Sequence, residues 1–256
     1  MKVFITGASS GIGEALAREF AQRGASLGLV ARRQSLLDDL VRQLPGGADQ
    51  HRTYAVDVTD RDALIAACRD FDACCGGADV VIANAGISVG VKTEFYEDLA
   101  EFDRVFQTNV FAMASTFHGF IPGMKSRGRG KLVGIGSVAG IRGLPGSEAY
   151  CASKSATITY CESLRVEMKK SGVEVITVCP GFIRTPLTAK NPYKMPFLME
   201  APDFARAAAD AILAGRSYTT IPWQMGWVGK LLRILPNPVF DKFMSGRKQK
   251  PRAISG

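Results

Sequence analysis

Short apolar runs and longer amphipathic stretches alternate along this chain. A run of about 4–8 apolar residues predicts a buried β-strand, whereas apolar residues that recur every three or four positions predict a helix. The first helical stretch shows the second pattern, because Ile12, Leu16 and Phe20 fall on one face. The apolar runs predict strands at residues 2–6, 26–31, 51–56, 79–83, 130–137, 173–179 and 218–221.

Helical patterns occupy most of the intervals between these strands. They predict helices at residues 11–23, 35–44, 60–71, 148–171 and 202–214, and one long helix within 95–127. Alternating strands and helices are typical of a parallel sheet that is covered on both faces. We therefore predict an α/β fold, with a single doubly wound Rossmann-type domain over residues 1–221 and a parallel sheet of about seven strands. An amphipathic, basic C-terminal tail follows over residues 222–256.

The basic charge of the chain is concentrated in this tail. The 256 residues carry a formal net charge of +8, and positions from 230 onward hold seven basic residues and one acid. That stretch accounts for +6, which leaves only +2 for the rest of the chain. Because the excess charge belongs to the tail, it does not indicate nucleic-acid binding, and we predict no nucleic-acid partner.

The six cysteines show no metal-binding pattern. None forms a Cys-x-x-Cys pair, and the chain has only two histidines, so we predict no metal site. Free thiols without an export signal favour a reducing, cytoplasmic location. No apolar run approaches the roughly 20 residues that a membrane-spanning helix needs.

A glycine-rich turn links the first predicted strand to the first predicted helix. Glycines accept backbone angles that other residues resist and let the main chain approach a pyrophosphate closely. The helix behind them offers free N–H groups and the positive end of its dipole. The position of the turn, between a strand and a helix, predicts dinucleotide binding rather than a plain connection. The candidate residues are Gly7, Ser9, Ser10, Gly11, Ile12 and Gly13.

The end of the second strand indicates which dinucleotide is bound. An NAD site usually has an acidic residue there, to hold the ribose 2′-hydroxyl. This chain has Arg32 and Arg33 instead, and guanidinium groups suit the oxygens of a 2′-phosphate. We therefore predict NADP(H) as the cofactor; the alternative is that both arginines are merely solvated residues at a helix start.

A candidate proton donor lies in the helix predicted at 148–171. Tyr150 and Lys154 are four residues apart and so share a helix face. A free phenol has a pKa of about 10, which a nearby ammonium group lowers. Such a phenol can give or take the proton of a substrate oxygen. Ser137 ends a predicted strand, where open α/β sheets place ligands, and its hydroxyl can hold a carbonyl oxygen beside Tyr150.

Five sequence motifs, taken together, resemble those of the short-chain dehydrogenase/reductase family. They are the turn at residues 6–13, Asn84-Ala85-Gly86, Ser137, Tyr150-Cys151-Ala152-Ser153-Lys154, and Pro180-Gly181. The resemblance is to the family's shorter, single-domain branch and covers roughly residues 1–190. It implies an oxidoreductase that interconverts a carbonyl and a secondary or primary alcohol by hydride transfer. The alternatives are a non-catalytic NADP-binding regulatory protein, and an epimerase or dehydratase of the wider family.

The resemblance also assigns roles to individual residues. Tyr150 is the acid/base, Lys154 lowers its pKa and holds the nicotinamide ribose, and Ser137 orients the substrate. Asn109 would complete a catalytic tetrad by fixing a water in a proton relay; alternatively, its amide only bonds to backbone. The resemblance implies further cofactor contacts in three places. Asp57 and Val58 would flank the adenine, and Asn84, Ala85 and Gly86 would line the middle of the cofactor. The nicotinamide would be held by Pro180, Gly181, Ile183 and Thr185.

Residues 186–201 fall where the family has its mobile substrate lid. The segment holds Met195, Pro196, Phe197, Leu198 and Met199, and such side chains make adaptable apolar walls. We therefore expect a small hydrophobic carbonyl or alcohol as the substrate, resembling a lipid, a steroid or a terpenoid. Alternatively, the lid packs on its own domain or on a partner subunit.

The tail has an apolar repeat with basic residues between. Trp223, Trp227, Leu231 and Leu235 recur every four residues, and a basic amphipathic segment with tryptophan can lie in a membrane interface. The alternatives are that the tail closes the substrate pocket or is buried on a second subunit of a homodimer or homotetramer. The residues from about 247 onward are expected to be disordered.

Overall fold

The computed structural model describes residues 1–189, 191–246 and 249–252. Its strands begin and end close to the predicted positions. They are β1 (Lys2–Thr6), β2 (Ser26–Ala31), β3 (Arg52–Ala55), β4 (Val80–Ala83), β5 (Gly130–Ile135), β6 (Val173–Pro180), β7 (Ile183–Arg184), β8 (Met199–Glu200) and β9 (Tyr218–Ile221). Seven of them form one parallel sheet in the order β3–β2–β1–β4–β5–β6–β9, while β7 and β8 form a separate pair. The predicted α/β fold with a seven-stranded parallel sheet is confirmed.

Helices connect the strands and cover both faces of the sheet. They are α1 (Gly11–Gln22), α2 (Gln34–Gln43), α3 (Gly47–Gln50), α4 (Arg61–Cys74), α5 (Asp98–Phe106), α6 (Ala112–Arg127), α7 (Glu148–Met168), α8 (Ala201–Leu213), α9 (Trp223–Ile234) and α10 (Asn237–Met244). The strand order reverses at β1, where Phe4 pairs with Gly28 of β2 on one side and with Val81 of β4 on the other. A crevice at the carboxyl ends of the strands is expected at such a switch point.

Each face of the sheet has its own apolar core. On one face Leu16 of α1 and Phe204 of α8 are fully buried against the strands. On the other face Phe4 packs on Phe120 and Phe71, with ring centroids 4.9 and 5.4 Å apart. Because both faces are buried, the central strands are apolar throughout instead of alternating with polar residues.

The prediction of one long helix within residues 95–127 is wrong in one respect, because the helix is not continuous. Helix α5 begins at Asp98, and a π-helical turn, Gln107–Phe111, separates it from α6. Such wide turns are rare and often occur at functional sites. Here the turn carries Asn109, which is buried and hydrogen-bonded to the loop after β4.

The tail folds into two helices that are fixed to the domain by Arg142. Its guanidinium donates hydrogen bonds to the carbonyl oxygens of Arg233 and Leu235, each at 3.1 Å, and to Asn237 Oδ1 at 2.8 Å. It also lies over the ring of Phe240, 4.3 Å from the centroid. These bonds satisfy carbonyls at the end of α9 that would otherwise have no partner.

The outward face of α9 differs slightly from the predicted apolar repeat. Trp223, Trp227 and Leu231 are exposed on it, but its last member is Ile234 instead of Leu235, which is half-buried at the helix end. None of the helices within the described residues is both long and apolar enough to cross a bilayer.

Residues 249–252, which we call the C-terminal strap, lie against the domain. Arg252 binds the buried carboxylate of Asp98 through two bonds of 2.9 Å, and its guanidinium lies 3.6 Å from the ring centroid of Phe95. Lys250 Nζ donates to Ser88 Oγ at 2.9 Å. The expectation of disorder is therefore wrong for the strap, because an ion pair with a buried partner leaves no periodic signal in the sequence. Residues 247–248 and 253–256 lie outside the described residues.

Candidate active site

A cavity of about 460 Å³ opens at the carboxyl edge of the sheet, at the switch point. It is lined by nearly all of the sequence-predicted site residues: Gly7, Ser9, Ser10, Gly11, Ile12, Arg32, Arg33, Asp57, Val58, Asn84, Ala85, Gly86, Ser137, Tyr150, Lys154, Pro180, Gly181, Ile183 and Thr185. Gly13 and Asn109 are the two that do not line it. The structure thus brings into one cavity residues that are scattered over most of the chain.

The cavity is also lined by residues that the sequence analysis did not predict: Ala31, Val56, Thr59, Ile87, Arg104, Thr108, Ile135 and Gly136. Most are direct neighbours of predicted residues, so their positions in the strands could have identified them. Arg104 is different, because it comes from α5, whereas Thr108 lies beside Asn109 in the π-helical turn. The Thr108 hydroxyl donates to the Arg104 carbonyl at 2.9 Å, a four-residue spacing that no motif marks.

The glycine-rich turn is held in place by side chains of neighbouring strands. Thr6 Oγ1 accepts hydrogen bonds from the backbone N–H groups of Asn84 and Ala85, each at 3.1 Å. Asn84 Nδ2 donates in return to the carbonyl oxygens of Thr6, at 2.9 Å, and Gly7, at 3.2 Å. Gly7 has a φ of +68°, which favours glycine. The turn is therefore fixed by direct bonds to the end of β4.

The geometry of the turn fits a dinucleotide diphosphate. A Cβ on Gly13 would lie 2.1 Å from the Gly7 carbonyl oxygen, so this glycine lets α1 begin directly behind the turn. A Cβ on Gly11 would contact Thr185 at 3.2 Å and fill the cradle. Ser10 is the N-cap of α1, yet its side chain makes no capping hydrogen bond. The hydroxyl and the helix N-terminus therefore remain available to an anion.

Two arginines lie at the end of β2, on the rim of the cavity. Both are exposed, and Arg32 Nη1 is 3.9 Å from Asp57 Oδ2. Partial burial raises the pKa of Asp57, but hydrogen bonds from Thr59 and the charge of Arg32 outweigh it and lower the pKa overall. Within the described residues, no carboxylate lies within 4.0 Å of Arg33, so its guanidinium is available to a ligand.

The candidate catalytic side chains meet at the other end of the cavity. Ser137 follows β5, and its hydroxyl lies close enough to that of Tyr150, on α7, to lower the pKa of the phenol. Ala139 N also donates to Ser137 Oγ, at 3.1 Å, which fixes the serine side chain. Lys154 Nζ donates to the Ile135 carbonyl oxygen at 2.7 Å and lies 6.0 Å from the centroid of the Tyr150 ring.

Burial controls the protonation of this pair. It raises the pKa of Tyr150 to about 12, against a smaller lowering by the nearby Ser137 hydroxyl. It lowers the pKa of Lys154 to about 8. The predicted lowering of the Tyr150 pKa by Lys154 is therefore wrong for this structure, because the ammonium group points to the Ile135 carbonyl and desolvation dominates.

Asn109 connects the loop after β4 to the helix turn that carries Tyr150. Its Nδ2 donates to the Ile87 carbonyl oxygen at 3.0 Å and to Ser153 Oγ at 2.9 Å, while its Oδ1 accepts from Ile87 N at 2.8 Å. Ser153 Oγ donates in turn to the Tyr150 carbonyl oxygen at 2.8 Å. The amide thus binds both backbone groups of one loop residue and helps to position α7.

The predicted lid borders the cavity through its first residues. Pro186, Leu187 and Thr188 line the cavity, and Leu187 is exposed to it and to solvent. Phe197 is also exposed, while Lys190 lies outside the described residues. Across the part of the chain that the structure describes, no cluster of three or more His, Cys, Asp or Glu side chains could hold a metal ion.

Known proteins are similar to this chain in both sequence and fold. The short chain dehydrogenase family profile matches residues 1–195. An uncharacterized oxidoreductase of Myxococcus xanthus is 39% identical over 239 residues, which cover 93% of each chain.

Solved structures agree with this family assignment. A short-chain dehydrogenase of Streptomyces avermitilis has a TM-score of 0.77 at 28% identity, over 90% of this chain and 92% of that one. L-sorbose reductase of Gluconobacter frateurii, solved with NADPH and L-sorbose, has a TM-score of 0.77 at 26% identity, over 86% of this chain and 94% of that one. The chain belongs to the short-chain dehydrogenase family of oxidoreductases.

Proposed function

We propose that this protein is an NADP(H)-dependent oxidoreductase that interconverts a carbonyl and a primary or secondary alcohol on a hydrophobic substrate. One observation carries the proposal: a single cavity joins two exposed guanidinium groups, of Arg32 and Arg33, to the side chains of Ser137, Tyr150 and Lys154. The two guanidinium groups suit a cofactor that carries a 2′-phosphate, and the other three side chains suit proton transfer to a substrate oxygen.

The preference for NADP(H) rests on charge at the end of β2. The first two residues after this strand are basic, and Asp57 at the end of the next strand already faces Arg32. A guanidinium fork matches the oxygens of a phosphate, so Arg33 and Arg32 would hold the 2′-phosphate. The N-terminus of α1 and the free Ser10 hydroxyl would hold the diphosphate.

Tyr150 would move the proton. When bound, the nicotinamide supplies or accepts the hydride. With a pKa of about 12, the Tyr150 phenol is protonated at neutral pH, which is the form that donates. During reduction its Oη–H bond would break and the proton would pass to the substrate oxygen, while Ser137 holds that oxygen by a hydrogen bond.

Paired variants test the cofactor proposal. We expect Arg33→Ala to raise KM for NADPH at least tenfold, about 1.4 kcal/mol of binding free energy, and to leave KM for NADH unchanged. Arg42→Ala is the matched control, because Arg42 is an exposed arginine of α2 that pairs with Asp39 and does not line the cavity. A wild-type preference for NADH, or an equal loss with both cofactors in Arg33→Ala, would contradict the proposal.

Tyr150→Phe tests the chemistry and separates the alternatives. We expect turnover to fall at least a thousandfold while NADPH still binds, because only the hydroxyl is removed; Tyr96→Phe, at an exposed tyrosine, should change neither. An oxidoreductase consumes one NADPH per substrate, whereas an epimerase or dehydratase consumes none overall. A non-catalytic NADP-binding protein would show no NADPH turnover, either as wild type or as Tyr150→Phe.

The hydrophobic substrate is proposed from the apolar start of the lid. Leu187 lines the cavity, and longer aliphatic carbonyls would bury more surface against it. We expect kcat/KM to rise with chain length in a series of aliphatic ketones and aldehydes and to be lowest for L-sorbose. Leu187→Ala should reduce this gain, and Leu213→Ala, at an exposed leucine of α8, should not. A higher kcat/KM for short polar carbonyls would refute this part of the proposal.

A further inference from the structure

The outward face of α9 carries four large apolar side chains in contact with solvent. Trp223, Trp227, Leu231 and Ile234 are 68%, 66%, 58% and 76% exposed. Their spacing of four, four and three residues places them in one stripe along the helix, which we call the α9 stripe. Single exposed apolar residues are ordinary, but a continuous stripe of this kind marks an interaction surface.

The opposite face of α9 is fixed to the domain, so the stripe is presented at a defined position. Met225 is buried, and a Cβ on Gly181, a residue of the active-site cavity, would lie 2.7 Å from Met225 Cγ. A Cβ on Gly229 would lie 2.5 Å from Ile141 Cδ1. Together with the bonds of Arg142 to the end of α9, these contacts leave the helix little freedom to turn its stripe inward.

Basic side chains accompany the stripe. Lys230 and Arg233 of α9 and Lys242 of α10 are exposed, and Lys230 Nζ lies 5.1 Å from the centroid of the Trp227 ring. Asp241 is the only acidic residue from position 230 to the end of the chain. The surface is thus apolar along its centre and positively charged beside it.

We propose that the α9 stripe docks on the surface of an anionic phospholipid bilayer, with α9 lying in the plane of the interface. Tryptophan and leucine side chains would enter the region between headgroups and acyl chains, and the lysine and arginine side chains would reach the lipid phosphates. The charge favours this partner over a second copy of the chain, since a symmetric contact through the stripe would bring the same cations face to face.

The chain contains a direct probe of this proposal. Its only two tryptophans are Trp223 and Trp227, so the intrinsic tryptophan fluorescence of the whole protein reports on the α9 stripe alone. We expect the emission of the wild-type protein to shift to the blue when vesicles of phosphatidylcholine and phosphatidylglycerol are added. Vesicles of phosphatidylcholine alone should give a much smaller shift, and added salt should reduce the shift with anionic vesicles.

Flotation with the same vesicles measures the contribution of each part. We expect Leu231→Ser combined with Ile234→Ser to weaken binding to anionic vesicles at least tenfold, and Lys230→Gln combined with Arg233→Gln to do the same. Tyr96→Ser, at an exposed aromatic residue of another surface, is the control. All of these side chains are exposed, and the bond that Arg233 Nη1 donates to the Ile141 carbonyl oxygen is long, at 3.5 Å, so the variants should keep the wild-type melting temperature and NADPH turnover.

Several outcomes would overturn the proposal. These are an unchanged emission spectrum with anionic vesicles, equal flotation of wild type and the serine variant, and conversion of a wild-type oligomer to monomers by the serine substitutions. The last outcome, read by analytical ultracentrifugation, would show that the stripe is an interface between copies of the chain. None of these results depends on the cofactor or the substrate, so failure here and failure of the proposed function are distinguishable.

Discussion

Lys154 should make the folded protein less stable than a neutral side chain would. The residue is 5% exposed, and burial lowers the pKa of its ammonium group from 10.5 to about 8. The difference between these pKa values corresponds to about 3 kcal/mol of unfavourable free energy for the charged form in the folded state. Loss of the hydrogen bond to the Ile135 carbonyl costs about 1 kcal/mol. We therefore expect Lys154→Met to be about 2 kcal/mol more stable than wild type at pH 7.

The pH dependence of this difference identifies its cause. Between pH 8 and 10.5 the folded wild-type protein binds fewer protons at Lys154 than the unfolded chain does, so its stability increases as the pH rises through that range. The stability difference between Lys154→Met and wild type should consequently change by about 2.5 kcal/mol between pH 7 and pH 10, so that the advantage of the variant is gone or slightly reversed at pH 10. Cysteines and tyrosines also titrate at high pH in both proteins, so most of their contribution cancels in the comparison; Cys161 and Cys179 are the exceptions, because burial raises the pKa of each of these thiols and the charge of Lys154 lowers it.

Urea unfolding followed by circular dichroism at pH 7, 8, 9 and 10, without added cofactor, measures the difference. Lys170→Met is the matched control, because this lysine is exposed and its replacement should shift stability little at any pH. If Lys154→Met is less stable than wild type at pH 7, or if its advantage is constant over the four pH values, burial does not destabilise the charged form of Lys154 and the reasoning is refuted.

Three further predictions concern positions outside the reacting groups. Gly13→Ala places a methyl group 2.1 Å from a carbonyl oxygen and should weaken NADPH binding at least tenfold by calorimetry, whereas Gly143→Ala, which meets nothing within 4 Å, should not. Arg252→Ala should lower the melting temperature at neutral pH, and the difference should vanish in acid, because Arg252 lowers the pKa of Asp98 and its contribution is lost as that carboxylate is protonated. Asn109→Ala should lower kcat while leaving the NADPH dissociation constant within about twofold, since the amide positions α7 and does not line the cavity; an equal loss in both quantities would refute a positioning role.

The sheet was predictable because burial on two faces leaves a clear pattern. Strands β1, β2 and β9 occupy the predicted residues without any shift. Strand β3, at the edge of the sheet, is shorter than predicted and partly exposed, so its pattern is less distinct. The cofactor turn and the Tyr150–Lys154 pair were also predictable, because each depends on spacing within a few residues and on its place after a strand.

The features that the sequence did not reveal depend on contacts between distant residues. Arg142 meets the end of α9 at separations of 91 to 95 residues, and Arg252 meets Asp98 at 154 residues. The π-helical turn at Gln107–Phe111 is local, but it is stabilised by bonds of Asn109 to the loop after β4 and to α7. The direction in which the pKa of Tyr150 shifts could not be predicted either, because it depends on how deeply the phenol is buried, and the spacing of Tyr150 and Lys154 does not show burial.

The ion pair between Arg252 and Asp98 has a consequence for how the protein is made. Asp98 precedes its partner by 154 residues, and it is the first residue of α5. Every strand of the sheet is synthesised before Arg252, since the last of them, β9, ends at Ile221, so the domain can begin to fold before Asp98 meets Arg252. The contacts of the strap with Ser88 and Asp98 are therefore among the last to form during synthesis, and a ribosome that stalls before residue 252 would hold a nascent chain with a formed sheet but without the ion pair at Asp98.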